Sequence, residues 1–321
     1  MPLSEFQIIE KYFKDLTGVD DSVAIGIGDD AAVVNIPPGR QLVTSVDTLV
    51  SGVHFFGDAE PYDIGYKSLA VNISDLAAMG ARPHWATLAL TIPGSDSAWL
   101  EKFAAGFAAV AGKYGVSLVG GDMTRGPLSI IIQIMGLVET GKAVIRGGAQ
   151  TGDDIYVSGC LGGAGLALRS FSKQLPATIQ PSPANIERLL RPEPRVALGL
   201  ALIDLAHAAI DISDGLAADL GHILEMSGKG AMVELERVPL CTELQQIKDR
   251  DTRYQLALSA GDDYELCFTA PAHRQVGIAA LSTSLNLPLQ CIGRITDGDS
   301  IQWRRSDGSP YRLRESGYLH F

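Results

Sequence analysis

Five short stretches of this chain set aspartate directly beside glycine at the edge of an apolar segment. They are "GIGDD" at 26–30, "GGD" at 120–122, "TGDD" at 151–154, "SDG" at 213–215 and "AGDD" at 260–263. Carboxylates are costly to bury, and neighbouring like charges repel. A fold that ends its apolar strands this way must solvate those turns or give the acids a shared use. Glycine permits tight turns and close approach of backbone to a ligand. The chain has 35 glycines in 321 residues, above the usual share of about 7% and without a collagen period.

The formal charge is −11, from 26 basic and 37 acidic residues. That sign argues against non-specific nucleic-acid binding. An anionic ligand such as a nucleotide needs metal ions to bridge it to the acids. No apolar run reaches the ~18 residues of a membrane span, and "MPLSEFQIIEKYF" lacks the apolar core of a signal peptide. The expectation is a soluble cytoplasmic protein with neither a membrane nor a nucleic acid as partner. Cys160, Cys241, Cys267 and Cys291 are scattered, with no CxxC pair, and read as four reduced thiols.

Strands and helices alternate irregularly, which predicts an α/β class with α+β mixing. "SEFQIIEKYF" reads as a short helix capped by Ser4, and "PYDIGYKSLAVNISDLAAMG" as a helix breaking near Asn72 and closed by Gly80. "SAWLEKFAAGFAAVAGKYG" is a helix closed by Gly115, and "LSIIIQIMGLVE" is a strand pair or one long strand. Texture changes to turn-rich sequence near residue 149, giving expected domains at 1–149 and 150–321. "NISDLAAMGA" (72–81) echoes "DISDGLAADL" (211–220), compatible with a duplication or with repeated capping by Ser74 and Ser213.

The aspartates are the candidate chemistry. A solvated turn accounts for Asp29 and Asp30 taken alone. Period-two alternation puts Ser45 and Asp47 on one strand face and Thr44 on the other. Asp75 reads as first-turn helix, Asp122 follows two glycines, and Asp211 and Asp214 lie three apart at a helix start. Exposed amides at a helix start account for Asp75 and Asp214 without metal. They do not account for Asp47, which interrupts an apolar strand. Carboxylates gathered at strand ends repel unless cations lie between them, and Mg2+ bridges carboxylates to phosphates. Phosphoryl transfer uses such an arrangement, opposed by basic groups. Arg146, next to two glycines, and Arg125 are candidates for that role, Arg125 with a surface role as its alternative; His54 lies just past the Asp47 strand, with a packed or surface histidine as its alternative. No GxxxxGK[ST], GxGxxG or GxSxG pattern is present.

The segments "GIGDDAAV", "TSVDTLVSGVHF", "YKSLAVNISDLAAMGARP", "VGGDMTRGPLSI", "GDDIYVSG", "AIDISDGLAADLGHI", "DDYELCFT" and "GYLHF" run in order along almost the whole chain. In this set the chain resembles the thiamine-monophosphate kinase family, of the superfamily that holds aminoimidazole ribonucleotide synthetase and selenophosphate synthetase. The resemblance implies two α/β domains, the N-terminal sheet pairing with that of a second subunit in a homodimer, and ATP and substrate between the domains. It implies direct Mg2+-dependent transfer of the ATP γ-phosphoryl group to thiamine monophosphate. It implies several Mg2+ ions on Asp30, Asp47, Asp75, Asp122, Asp211 and Asp214, with Thr44 or Ser45 contributing backbone or hydroxyl oxygen. Nucleotide contacts would fall on Gly121, Asp122, Arg146 and Ser213, and substrate contacts on His54, Asp262 and Tyr318.

One departure stands out. Where relatives read "GEDYEL" this chain has "GDDYEL", so Asp262 replaces a glutamate that faces substrate. Two rival readings remain: a kinase or synthetase of the same superfamily acting on another small phosphorylated metabolite, and an acidic metal-binding scaffold without turnover.

Overall fold

The computed structural model describes residues 4–18, 21–176, 178–314 and 317–318. Its contacts divide the chain into two compact units. The first takes the chain up to Leu76 and again Ala81–Gly141; the second takes Ala77–Gly80 and the chain from Lys142 onward. Residues 142–149 thus pack with the second unit. Val144 N–H donates to the Met79 carbonyl at 3.1 Å, and Ala149 joins that unit's core.

In the first unit a short helix α1 (Glu5–Ile8) runs into a π-helical turn at Ile9–Phe13. Ser4 caps it in a reciprocal capping box with Gln7. Strands β1 (Val23–Ile25) and β2 (Val33–Val34) form a small antiparallel pair. The main sheet has β3 (Arg40–Val50), β4 (Arg82–Ile92), β5 (Ser117–Arg125) and β6 (Ser129–Glu139) in the order β3-β6-β4-β5. The β4–β5 pair is parallel and the others antiparallel. The run "LSIIIQIMGLVE" is therefore one long strand. Ile130, Ile132 and Ile134 are fully buried on one face, while Ile131 and Gln133 are exposed on the other. Ser45 pairs with Ile134 and Asp47 with Ile132, so both point to the buried face, as the alternation predicts.

Helix α2 (Pro61–Ala78) lies on that face, and α3 (Ser97–Tyr114) crosses it. The expected break at Asn72 does not occur. Its side-chain amide donates to the Ser68 carbonyl at 2.9 Å, and its oxygen accepts the Asp47 N–H at 3.1 Å. Both polar ends are satisfied without interrupting the helix. The crossing is glycine-mediated: a Cβ at Gly106 would run into the Tyr62 carbonyl, and one at Gly65 into that of Phe103. Alanine at 106 gains about 1 kcal/mol of helix propensity, but its neighbour there is rigid backbone. Gly106→Ala is expected to destabilise the unit by roughly 1–3 kcal/mol net. A lower urea midpoint at unchanged slope is the readout.

The second unit holds β7 (Asp154–Ser158), β8 (Ala208–Asp211), β9 (Gly230–Glu234), β10 (Leu266–Ala270), β11 (Leu289–Thr296), β12 (Ile301–Arg304) and β13 (Pro310–Tyr311). Their order is β13-β12-β9-β11-β7-β10-β8, antiparallel except for β9–β12. Strands β7 and β10 are buried along their full length. Alternate residues feed two apolar layers. The helices described in this unit are α4 (Gly163–Phe171), α5 (Pro183–Leu190), α6 (Val196–Leu202), α7 (Leu216–Ser227), α8 (Arg250–Ser259) and α9 (Gln275–Leu285). Ile155, Val157 and Cys267 pack with α4, α7 and α8. Tyr156 and Phe268 face the other way, against Leu198 and Leu202 of the helix Val196–Leu202 and Ile278 of the helix Gln275–Leu285.

Three expectations are corrected here. The echo at 72–81 and 211–220 is one of letters only: the first lies in the second half of α2 and beyond, the second spans a strand end, a turn and a helix start. Ser74 accordingly sits buried inside a helix and starts none. The four cysteines are not all thiols. Cys160 and Cys241 form a disulfide with Cα atoms 5.0 Å apart, and Cys267 and Cys291 are free. Backbone pairing around Leu161 and Leu240 brings the two together, with Leu161 N–H donating to the Pro239 carbonyl at 2.8 Å. An 81-residue separation gives no sign of this in the sequence. Among the described residues no helix is long and apolar enough to cross a membrane.

Candidate active site

The first unit builds two acidic groups. On the buried face of β3, Ser45 Oγ donates to Asp75 Oδ2 at 2.6 Å, and Asp47 is fixed through its N–H by Asn72. Burial, and then the charge of Asp75, push the Asp47 carboxyl up to about 7. Asp75 is not in a first turn. It occupies the last turn of α2, where the helix dipole disfavours a carboxylate. The capping explanation therefore fails for it. Thr44 is on the opposite face, its hydroxyl accepting from Gln133 at 3.2 Å.

The second acidic group lines a cavity of about 690 Å³, with Asp29, Asp30, Gly28, Gly121 and Asp122 on its wall beside apolar Phe6 and Leu118. Asp29, Asp30 and Asp122 are exposed. Strand β5 runs straight through Gly120 and Gly121, so Asp122 is a strand residue paired with Ala89 rather than a turn residue. A Cβ at Gly121 would collide with the Leu88 carbonyl. Only glycine allows β4 and β5 to close here and leave the backbone open to the cavity. His54 Nδ1 accepts the Val50 N–H at 3.0 Å in the turn after β3, and Arg125 ends β5 in the open.

In the second unit Asp211 is the buried last residue of β8, and Asp214 sits in the turn before α7. Asp219 was not singled out from the sequence. Its carboxylate accepts the N–H groups of Asp214 and Gly215, each at 3.1 Å, and so caps α7 from inside its own first turn. Burial, followed by the charges of Asp211 and Asp214, push it up to about 8. The Ser213 carbonyl accepts from Asp262 N–H at 2.8 Å, and that of Asp214 from Tyr318 N–H at 3.1 Å. Four of the expected residues, Ser213, Asp214, Asp262 and Tyr318, are thus braced by backbone bonds; the rest of the closing "GYLHF" beyond Tyr318 lies outside the described residues. Arg146 is exposed, its carbonyl accepting from Ser227 at 3.2 Å. Also missed in the sequence were Asn72, Asp263, Glu265 and Arg195. Only Asn72 carried a local signal, a polar residue within a largely apolar helix; Asp263 and Glu265 lie in a loop and Arg195 just before a helix.

Asp47 lies against Asp75, Asp29 and Asp30 share a cavity wall with Asp122, and Asp219 lies near Asp211 and Asp214. Among the described residues, no three His, Cys, Asp or Glu side chains stand together in a metal-holding arrangement. The donor set still fits Mg2+, which takes hard oxygen ligands and characteristically uses one or two carboxylates, with phosphate oxygens and water completing its shell. The pair Asp47 and Asp75, with one partner resisting ionisation, has that chemistry.

Two α/β units with acid-bearing glycine segments define a class, and the comparisons agree. Residues 28–138 match the model for the N-terminal domain of AIR synthase related proteins, and residues 150–304 match the one for the C-terminal domain. The thiamine-monophosphate kinase of Escherichia coli (strain K12) is 45% identical over 324 aligned positions, covering all of this chain and 99% of that one. The crystal structure of the thiamine-monophosphate kinase of Stenotrophomonas maltophilia K279a is 47% identical, covers 97% of this chain and 99% of its own, and superposes with a TM-score of 0.86. A structure described as AaThiL complexed with AMPPCP and TMP is 30% identical, covers 89% of each chain, and has a TM-score of 0.77. The chain belongs to the thiamine-monophosphate kinase family.

Proposed function

We infer that this protein transfers the γ-phosphoryl group of ATP to the phosphate of thiamine monophosphate, giving thiamine diphosphate and ADP. The observation that carries the reading is the half-buried Asp47 held beside Asp75. Full-length similarity to kinases of this name supports the substrates, as does the relative complexed with AMPPCP and TMP. In the transfer the bond from the γ-phosphorus to its bridging oxygen breaks, and one to an acceptor phosphate oxygen forms. That oxygen is anionic near neutrality, since a phosphate monoester has a second pKa of about 6. It needs alignment more than a base, consistent with a site built from acids and backbone.

Asp30, Asp47, Asp75, Asp122, Asp211 and Asp214 are the proposed Mg2+ ligands, joined by Ser45 or the Thr44 carbonyl. Bound Mg2+ supplies charge neutralisation on the phosphates. Gly121, Asp122, Ser213 and Arg146 are assigned to the nucleotide, and His54, Asp262 and Tyr318 to thiamine monophosphate. The first unit carries ATP, Mg2+ and the dimer face, with the second completing the site. ATP as donor supports a cytoplasmic location, and the outer face of β3 and β6 supports a homodimer.

The test is the appearance of thiamine diphosphate from thiamine monophosphate, dependent on both ATP and Mg2+. Consumption of ATP with another phosphorylated acceptor but not this one would favour the superfamily rival. Arg146→Ala isolates one assignment. Its side chain is exposed and its carbonyl bond to Ser227 survives, so the melting temperature should hold. Loss of charge-assisted bonds to phosphate should raise the KM for ATP roughly tenfold. An unchanged KM removes Arg146 from the nucleotide site.

A further inference from the structure

Asp262 and Tyr264 both adopt a left-handed backbone, with φ of +62° and +48°. Such angles are unfavourable for non-glycine residues and persist where the surroundings over-determine them. Here the surroundings are two buried acids that alternate with them. Asp263 accepts the Gly162 N–H through both oxygens, each at 3.0 Å. Glu265 has no exposed surface. It takes the Arg195 guanidinium in a fork at 2.6 and 2.7 Å, the Ser158 hydroxyl at 2.6 Å and Arg188 at 3.4 Å. On its other side the segment is laced to the loop of Asp211 and Asp214. Asp262 N–H donates to Ser213, Tyr264 N–H to Ile212, and Ile212 N–H to the Glu265 carbonyl, all at 2.8 Å.

Stability alone does not explain a buried ion pair, because desolvation offsets most of its attraction and a well-packed apolar residue often does as well. What the arginine fork adds is geometry, fixing both the position and the plane of the carboxylate. The geometry so fixed is that of the segment carrying Asp262.

We propose that Arg195 and Glu265 are positioning residues for the phosphate acceptor, holding the left-handed segment at the angle that presents Asp262 to thiamine monophosphate. The proposal rests on the assignment of Asp262 to that substrate. Aspartate is one methylene shorter than the glutamate usual in the resembling family, so its reach depends more heavily on the backbone beneath it. The loop of Asp214 has a clamp of its own in Asp219. Loosening the fork therefore displaces Asp262 more than it displaces the groups assigned to Mg2+ and nucleotide.

Arg195→Lys keeps the charge and removes the fork; Glu265→Gln keeps the shape and removes the charge. Each is measured for KM toward both substrates, half-saturating Mg2+ and melting temperature, alongside Asp262→Ala. The expected result is a KM for thiamine monophosphate raised roughly tenfold or more, the scale of a small misplacement, with the KM for ATP and the Mg2+ requirement changed less than about twofold. A purely structural pair would lower the melting temperature and leave both KM values of the folded protein alone, and that result overturns the proposal. If Glu265→Gln does not fold, Arg195→Lys decides, since that side chain is partly solvent-exposed. An unchanged KM for thiamine monophosphate in Asp262→Ala overturns the assignment of Asp262 and the proposal with it. A raised KM there beside an unchanged one in Arg195→Lys overturns only the positioning role.

Discussion

Asp47→Asn is expected to cut thiamine diphosphate formation by roughly 10²–10³-fold, the scale of removing one preorganised electrostatic group, and to raise the Mg2+ needed for the residual rate. Asparagine keeps the volume and the β3 backbone, so the Asp47 N–H bond to Asn72 survives. What disappears is a carboxylate that burial and Asp75 already push up to about 7. The unfolded value is about 3.9, so between these pH values the folded chain holds a proton there that the unfolded chain has released. The stabilisation this gives is complete below about pH 4 and lost as pH rises through about 7. Metal-free wild type should therefore lose melting temperature relative to Asp47→Asn between about pH 4 and 7, and added Mg2+ should narrow the gap. Unchanged turnover with an unchanged Mg2+ optimum places Asp47 outside the site.

Asp47 also shows what a sequence makes legible. An acid interrupting an apolar strand has one local explanation, and alternation alone put Ser45 beside it and Thr44 opposite. Asp75 was harder. Its neighbours spell a capping signature, and only the unbroken run of α2 through Asn72 shows that the signature lies near the end of a helix rather than at its start. Local pattern misled there because Asn72 is satisfied by a strand 25 residues away. Glu265 illustrates the opposite limit. Its partners Ser158 and Arg195 lie 107 and 70 residues off, and nothing in "GDDYEL" distinguishes a buried forked carboxylate from a solvated one. Cys160 and Cys241 were invisible for the same reason. What was readable were features whose cause is local: strand alternation, the Asp-Gly turns, Gly115 ending α3. What was not depended on contacts that only the folded sheet creates.

The second large effect concerns the outer face of the first sheet. Strand β3 is its edge, 11 residues long and paired with β6 in unbroken register. Natural edges are usually shortened, bulged or charged to prevent association, and apart from the inward-facing Asp47 β3 is none of these along its middle. On its outer face Val46 is 59% exposed and Leu42 43%, with Ile131 of β6 at 37%. Exposed apolar side chains on one sheet face, here interleaved with Thr44 and Gln133, mark an interaction site, and the inner face is already occupied by α2. A second copy of the same face, covering both, is the proposed occupant. Val46→Asp sets a carboxylate at the centre of that patch, where burial without a partner costs several kcal/mol. Since Val46 points away from the subunit core, the fold should survive. The expected result is a wild type sedimenting at twice the 34.1 kDa of one chain, and a variant that sediments at the single-chain mass over the same concentrations with its circular dichroism intact. A variant that stays dimeric excludes this face as the interface, and a wild type at the single-chain mass excludes the homodimer.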